Sequence, residues 1–339
     1  MVLKSNDAIW DKYINRMPKE KQDIYYTRHY CKMSEIIEGG EAQLFVYEEG
    51  DNIALYPYIK RSIYNEQDSS IFYDIETAYG YGGPIVKIED IAFENAFEMN
   101  FLQHCQQENI IAEFIRFHPL LENERVFNKK IDILHNRITV WIDLEKSLDE
   151  IWMQDIATQN RNTIKKCMKS GLKVEISRNY DEFLEIYNQT MKKVGANNFY
   201  FFKKQYYDEI KNNNCFSLMR VRKDSETLAA AIFIIYKDYF HYHLSGSRSE
   251  FLKMAPNNIL LWEAIKYAKR QGCKKMHLGG GLTDSQEDNL FRFKRKFSTK
   301  YKDFYIGKRI HNQIVHQNLI QKWENEHKEK AKLLLQYRK

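Results

Sequence analysis

The feature that most constrains this chain is one order of elements that occurs twice. In the first half, the strand-like runs 44–47 and 53–59 flank the turn signal Glu48-Glu49-Gly50-Asp51-Asn52. A helical stretch over Ile91–Gln107 follows, then the apolar run Ile110-Ile111-Ala112-Glu113-Phe114-Ile115. In the second half, runs 216–221 and 228–236 flank Lys223-Asp224-Ser225-Glu226, and a third strand covers Tyr239–Leu244. A helix over Asn257–Arg270 then places Leu261, Ala264, Ile265 and Ala268 at helical spacing, with Pro256 at its start and Gly272 at its stop. Lys274–Leu278 enters a short strand closed by Gly279-Gly280-Gly281.

Strand, turn, strand, helix, strand is the central order of the acetyltransferase-like (GNAT) fold. Its repetition predicts an α/β protein with mixed sheets, two GNAT-like subdomains in tandem with a groove between them. The expected boundaries are residues 1–145 and 146–310, with a helical tail over 311–339. The 43% of hydrophobic and 29% of charged residues suit globular domains, and 339 residues suffice for two. A net charge of +6 fits an anionic partner such as a nucleotide, a phosphate-bearing lipid head or RNA, but falls short of a dedicated nucleic-acid domain. The N-terminus shows no apolar signal region, and no apolar run approaches the roughly 18 residues that span a bilayer. The five cysteines make no CxxC or Cys/His cluster, so free thiols in a cytoplasmic protein without a metal are expected.

Four constellations carry candidate chemistry. The first is Thr77-Ala78-Tyr79-Gly80-Tyr81-Gly82-Gly83-Pro84, whose glycines let a backbone approach a ligand closely while Tyr79 and Tyr81 stack or donate. A turn built for geometry alone is the alternative. The second is a helix over 157–170 in which Arg161, Lys165 and Lys169 form one stripe, with no acid between Ile156 and Val174. It reads as a phosphate clamp or as a solvated face. The third runs from Arg292 to Arg309, with eight basic residues against the single acid Asp303 and aromatic residues interleaved. It reads as a nucleic-acid surface or as a strand with core Phe and rim Lys. The fourth is the strand His241-Tyr242-His243-Leu244-Ser245-Gly246-Ser247, whose period of two would put His241, His243, Ser245 and Ser247 on one polar face. His243 is then a candidate proton carrier, and Arg248 and Lys253 before the helix at Asn257 suit an anion. That loop lacks the Arg/Gln-x-x-Gly-x-Gly/Ala pattern with which acetyltransferases cradle CoA.

Six segments taken in order resemble the Fem-like aminoacyltransferase family. They are Tyr56-Pro57-Tyr58-Ile59-Lys60-Arg61, the 77–84 glycine segment, Phe114-Ile115-Arg116-Phe117-His118-Pro119, Arg161-Asn162-Thr163-Ile164-Lys165-Lys166, Pro256–Trp262 and Leu290-Phe291-Arg292-Phe293-Lys294. The resemblance implies tandem GNAT-like subdomains, aminoacyl-tRNA as donor with no further cofactor, and an amine on a nucleotide- or lipid-linked muropeptide precursor as acceptor. It implies contact with the tRNA acceptor end and a peripheral contact with the membrane surface. It also implies that Lys294, in the Phe293-Lys294 pair, steadies the transferring carbonyl. Apart from the resemblance, His243 or His118 is a candidate to accept the proton, with a water or the substrate itself as the alternative. Lys60, Arg61, Arg116, Arg161, Lys165, Arg248, Ser245, Tyr79, Tyr81, Gly82 and Gly83 would line the substrate. The chain departs from the family in lacking a long charged helical hairpin, the coiled-coil arm, in its second half. An acyl-CoA donor in surface-polysaccharide or sugar-nucleotide synthesis, and a non-catalytic module that binds RNA or precursor, stand as alternatives.

Overall fold

In the computed structural model, which describes residues 1–64, 69–127 and 131–339, the chain opens with strand β1 (Val2–Lys4) and helices α1 (Ile9–Arg16) and α2 (Arg28–Glu38). The Thr27 side chain accepts from the Tyr30 amide to start α2, and Gly39, at φ 70°, ends it. Strands β2 (Glu41–Glu49) and β3 (Asn52–Tyr64) form a hairpin, in register from Glu41 opposite Lys60 to Glu49 opposite Asn52. Then come β4 (Ile71–Glu76), the short β5 (Ile85–Val86) beside β3, helix α3 (Ile91–Gln107) and β6 (Ile110–Arg116), parallel to β4. Phe93, Phe97, Phe101 and Cys105 recur every four positions on α3, and this stripe packs on Phe45, Ala54, Tyr56 and Tyr58 of the sheet.

Strand β7 (Asp132–Asp143) leads to a one-turn helix α4 (Leu148–Glu150), a π-helical turn over Ile151–Asp155 and helix α5 (Thr158–Lys169). Strand β8 (Lys173–Ser177), helices α6 (Tyr180–Lys193) and α7 (Lys204–Lys211), and strands β9 (Phe216–Lys223), β10 (Glu226–Tyr236) and β11 (Tyr239–Ser247) follow. Helix α8 (Pro256–Arg270), β12 (Lys275–Gly279) and helix α9 (Asn289–Lys294) complete the second half, and β13 (Lys300–Ile310) and α10 (Gln313–His327) end the chain. The tandem GNAT-like order of mixed strands and helices read from the sequence is the order found.

Two compact units result: Met1–Asn136 together with Phe304–Lys339, and Arg137–Asp303. The first carries strands in the order β1-β2-β3-β4-β6-β13, the second β7-β12-β11-β10-β9-β8. The unit limits fall within β7 and β13 instead of at the expected 145/146 and 310/311. The expected separate tail belongs to the first unit. Its Val315, Leu319, Leu334, Leu335 and Tyr337 rest on Ile63, Ile111 and Ala112, and Arg338 Nε donates to Asp74 Oδ2 at 2.7 Å. In the second unit α8 buries Ile259, Leu260, Leu261, Ala264, Ile265 and Ala268 against Val221, Ala229, Ala231, Phe233 and Phe240 of the sheet. Among the described residues no helix is long and apolar enough to cross a membrane.

Candidate active site

Strands β11 and β12 run parallel, but pair over three residues only: Tyr239 with Lys275, Phe240 with Met276 and His241 with His277. On its other side β11 stays with β10 as far as Ser247 opposite Ala229. Just beyond the three shared pairs, Phe233 faces Tyr242 while Ile232 faces Leu244, so His243 is an unmatched extra residue. Such a bulge shifts the alternation of side chains by one. Tyr242 stacks on Phe233 at 5.5 Å, on the face covered by α8. Ser245 bonds to the Tyr242 hydroxyl, and Ser247 Oγ accepts from Asn257 Nδ2 of α8 at 2.8 Å. His243 turns away, pairing through Nε2 with the Tyr206 hydroxyl at 2.8 Å and lying against Phe216. The expected single face of His241, His243, Ser245 and Ser247 is therefore split. Burial brings the His243 imidazole down to about 3, so it is neutral and a weak base.

Into the opening between the diverging strands comes Lys294, the last residue of α9. Its side chain is buried, at 7% exposure, and Nζ donates to the Gly280 carbonyl at 2.7 Å. Nζ also lies 5.8 Å from the centre of the Tyr242 ring. Among the described residues no carboxylate forms an ion pair with it. Burial, reinforced by Arg137 and opposed by Asp288, brings its ammonium down to about 7.

The loop that receives Lys294 is built by close approach. A Cβ on Gly281 would stand 2.5 Å from Asp288 Oδ1, and one on Gly280 would stand 2.9 Å from the Ile138 carbonyl. Asp288 Oδ1 accepts from the Leu290 and Phe291 amides and so caps α9, while Oδ2 accepts from the Leu282 and Thr283 amides. Arg137 Nη1 donates to the Gly281 and Leu282 carbonyls at 2.6 and 3.1 Å. Phe293 packs edge-on against Phe297, at 5.4 Å, and supports the end of the helix. A lysine with a pKa near 7 divides between ammonium and amine at neutral pH. The ammonium form donates to an oxygen that gains charge, and the amine form accepts a proton.

Most of the remaining residues singled out in the sequence are held by partners within the protein. Lys60 pairs with Glu108 at 2.7 Å and covers the Tyr73 ring. Arg61 is buried on Asp74 and Glu76, and Arg116 bonds Glu76 and the Thr77 carbonyl. His118 is fully buried with Nε2 2.8 Å from Asp23. In the 77–84 segment the close approaches are made by the protein's own side chains. A Cβ on Gly82 would meet Thr77, and one on Gly83 (φ 86°) would meet Phe117 and Asn123. The Tyr79 carbonyl accepts from the Tyr30 hydroxyl, and the Tyr81 ring sits among Tyr25, His118 and Phe304. Arg161 caps the π-helical turn, donating to the Trp152, Met153 and Ile156 carbonyls, whereas Lys165 stands in solvent. Arg248 is held by Glu185 and the Thr227 carbonyl. In the 292–309 stretch, read as a nucleic-acid surface or as a strand, the first part is the end of α9 and a turn, the strand β13 begins only at Lys300, and Lys300 and Arg309 are paired with Asp143 and Glu98.

Sequence reading assigned no role at the site to Tyr242, Arg137, Gly280 or Asp288. Gly280 stood only in the run that closes a strand and Tyr242 only between two histidines, while Asp288 carries the signal of a capping residue just before Asn289–Lys294. Cys105, Glu113 and His311 bring donor atoms within 4.8 Å of one another in the first unit. Arg309 lies against the same Glu113, so a positive charge is already in place there.

Residues 158–295 match the family model of the acetyltransferase (GNAT) domain. No curated protein matches the chain. Among solved structures it is similar to FemX, at 15% identity with a TM-score of 0.67, covering 94% of this chain and 99% of that one. It is also similar to L-PGS from Bacillus licheniformis, at 12% identity and a TM-score of 0.59 over 90% and 92% of the two chains. A conserved protein of unknown function from Bacteroides thetaiotaomicron gives 10% identity and a TM-score of 0.58 over 91% and 99%. In fold this chain is similar to FemX over nearly its whole length, and its residues 158–295 match an acetyltransferase (GNAT) domain.

Proposed function

We propose that the chain is an acyltransferase that forms an amide bond, with the opening around Lys294 as its reaction centre. The observation that carries this reading is a buried lysine that has no carboxylate partner among the described residues, held at the mouth of two diverging strands by the Gly280 carbonyl. An unpaired buried ammonium costs stability, and a group of this kind clusters at functional sites.

In the finer form of the reading, the donor is an aminoacyl-tRNA and the acceptor is the amine of a nucleotide- or lipid-linked muropeptide precursor, met in the cytoplasm. The amine attacks the ester carbonyl, a C–N bond forms, the C–O bond to the tRNA ribose breaks, and the proton lost by the amine ends on the departing ribose oxygen, which leaves as a hydroxyl. Lys294 as ammonium offsets charge on the carbonyl oxygen, with Tyr242 and Ser245 forming the adjoining wall. The six-segment resemblance to the Fem-like family and the likeness of fold to FemX support this form. A second donor, an acyl-CoA, is favoured by the match of residues 158–295 to an acetyltransferase domain. Incubation with labelled aminoacyl-tRNAs or labelled acyl-CoA, together with muropeptide precursors, separates the two by which label becomes acid-stable in the acceptor. Lys294→Ala should cut turnover far more than acceptor affinity. An unchanged rate in that variant would remove Lys294 from the chemistry.

A further inference from the structure

Between α6 and α7 the chain reads Met191-Lys192-Lys193-Val194-Gly195-Ala196-Asn197-Asn198-Phe199-Tyr200-Phe201-Phe202-Lys203-Lys204-Gln205-Tyr206-Tyr207. It holds four lysines, six aromatic residues and no acid. The apolar and aromatic side chains form two layers. Tyr206 and Tyr207 are buried, and Phe202 joins them, 5.0 Å from Tyr206. The outer layer lies in solvent: Val194 is 52% exposed, Phe199 39% and Tyr200 42%. The loop is tied down, with the Tyr187 hydroxyl donating to the Tyr200 carbonyl at 3.0 Å and Asn197 Oδ1 accepting from the Phe199 amide at 2.9 Å. All four lysines are exposed, and among the described residues none has a carboxylate partner. Lys193 donates only to Ser249 Oγ. Glu185, an acid of α6, is already bonded to Arg248.

An exposed apolar loop flanked along the chain by cations without a carboxylate partner among the described residues is met on both counts by a surface that is apolar and anionic at once. The headgroup boundary of an anionic bilayer is such a surface. Tyr suits it through an apolar ring with a polar end, and Lys through a long apolar stem below its charge. Single-stranded RNA would supply phosphates, but it needs flat ring faces on which bases stack. Here Phe199 lies at 84° to Tyr200 and 75° to Phe202, so the rings offer no row of parallel faces to successive bases, and the exposed Val194 is aliphatic. We infer that the Lys192–Lys204 loop is a membrane-contact surface that lays Val194, Phe199 and Tyr200 into the headgroup boundary of an anionic bilayer. Lys192, Lys193, Lys203 and Lys204 then meet the lipid phosphates. This inference is independent of the reaction assigned to Lys294.

The test is co-flotation of the full chain with vesicles of phosphatidylcholine alone and of phosphatidylcholine mixed with phosphatidylglycerol. The wild type should float with the anionic vesicles only, and less so as salt rises. Each lysine removed near an anionic surface should weaken binding about fivefold. The pair Lys203→Gln and Lys204→Gln, and separately the pair Phe199→Ser and Tyr200→Ser, should therefore abolish most flotation while circular dichroism stays unchanged. Equal flotation with neutral vesicles, none with either, or retention of binding in both pairs overturns the inference. So does binding of labelled tRNA, or self-association in sedimentation, that depends on these residues in the absence of vesicle binding.

Discussion

Replacing Lys294 by Met should make the protein more stable while ending its chemistry, and the gain should depend on pH in a defined direction. The Lys294 ammonium falls from an ordinary value of 10.5 to about 7 in the folded chain, chiefly through burial. A folded-state pKa below the unfolded one means that the unfolded chain binds more protons between pH 7 and 10.5, so stability rises with pH across that window. Below pH 7 the folded chain must bury a charge, at an upper limit of about 5 kcal/mol. By pH 9 the same linkage leaves about 2 kcal/mol. Met fills a similar volume and removes the penalty, but it leaves the Gly280 carbonyl without its donor, which costs about 1–3 kcal/mol. Lys294→Met should therefore gain roughly 2–4 kcal/mol at pH 6 and close to nothing at pH 9. Urea titrations of both proteins at the two pH values measure this, because all other titrating groups cancel in the difference. A loss of stability of the same size at both pH values would refute the argument that Lys294 is held against its charge.

Three further outcomes follow from the geometry. Gly281→Ala drives a Cβ onto Asp288, and should cost about 1–2 kcal/mol in thermal melts through the lost cap, with turnover falling as Lys294 loses its seat. His243→Gln keeps a partner for the Tyr206 hydroxyl and should leave the pH–rate profile unchanged; disappearance of its acid limb would return His243 to proton transfer. Gly83→Ala combines a φ of 86° with contact on Phe117 and Asn123, and should destabilise the first unit by about 1–3 kcal/mol, read by urea unfolding.

The sequence displayed what depends on local pattern. Helix α3 begins and ends at the predicted Ile91 and Gln107, because its Phe spacing and flanking strand leave little choice. The β9–β10 turn falls at Asp224, where φ is 53°, between two dense apolar runs. The bulge was invisible because nothing in His241-Tyr242-His243-Leu244 interrupts alternation; it appears only when β10 sets the register from outside. Ion pairing was equally hidden. Lys60, Arg61 and Arg116 look like free cations until Glu108, Asp74 and Glu76 arrive from other elements. Lys294 itself entered through resemblance, and its special state depends on Gly280, Tyr242 and Arg137, residues far apart along the chain.

The return of residues 304–339 to the first unit sets the order in which the chain can mature during synthesis. Strand β13 pairs with β6 from Ile306 opposite Arg116 to Ile310 opposite Ala112, and Arg309 meets the buried Glu98 and Glu113. Until those last residues leave the ribosome, β6 keeps an open edge and two buried carboxylates lack their counter-charge. The second unit, contiguous from Arg137 to Asp303, is already whole by then. Of the two units the first is therefore the later to finish folding, and a released chain truncated after residue 303 should expose β6 to proteases and chaperones while the Lys294 seat is complete.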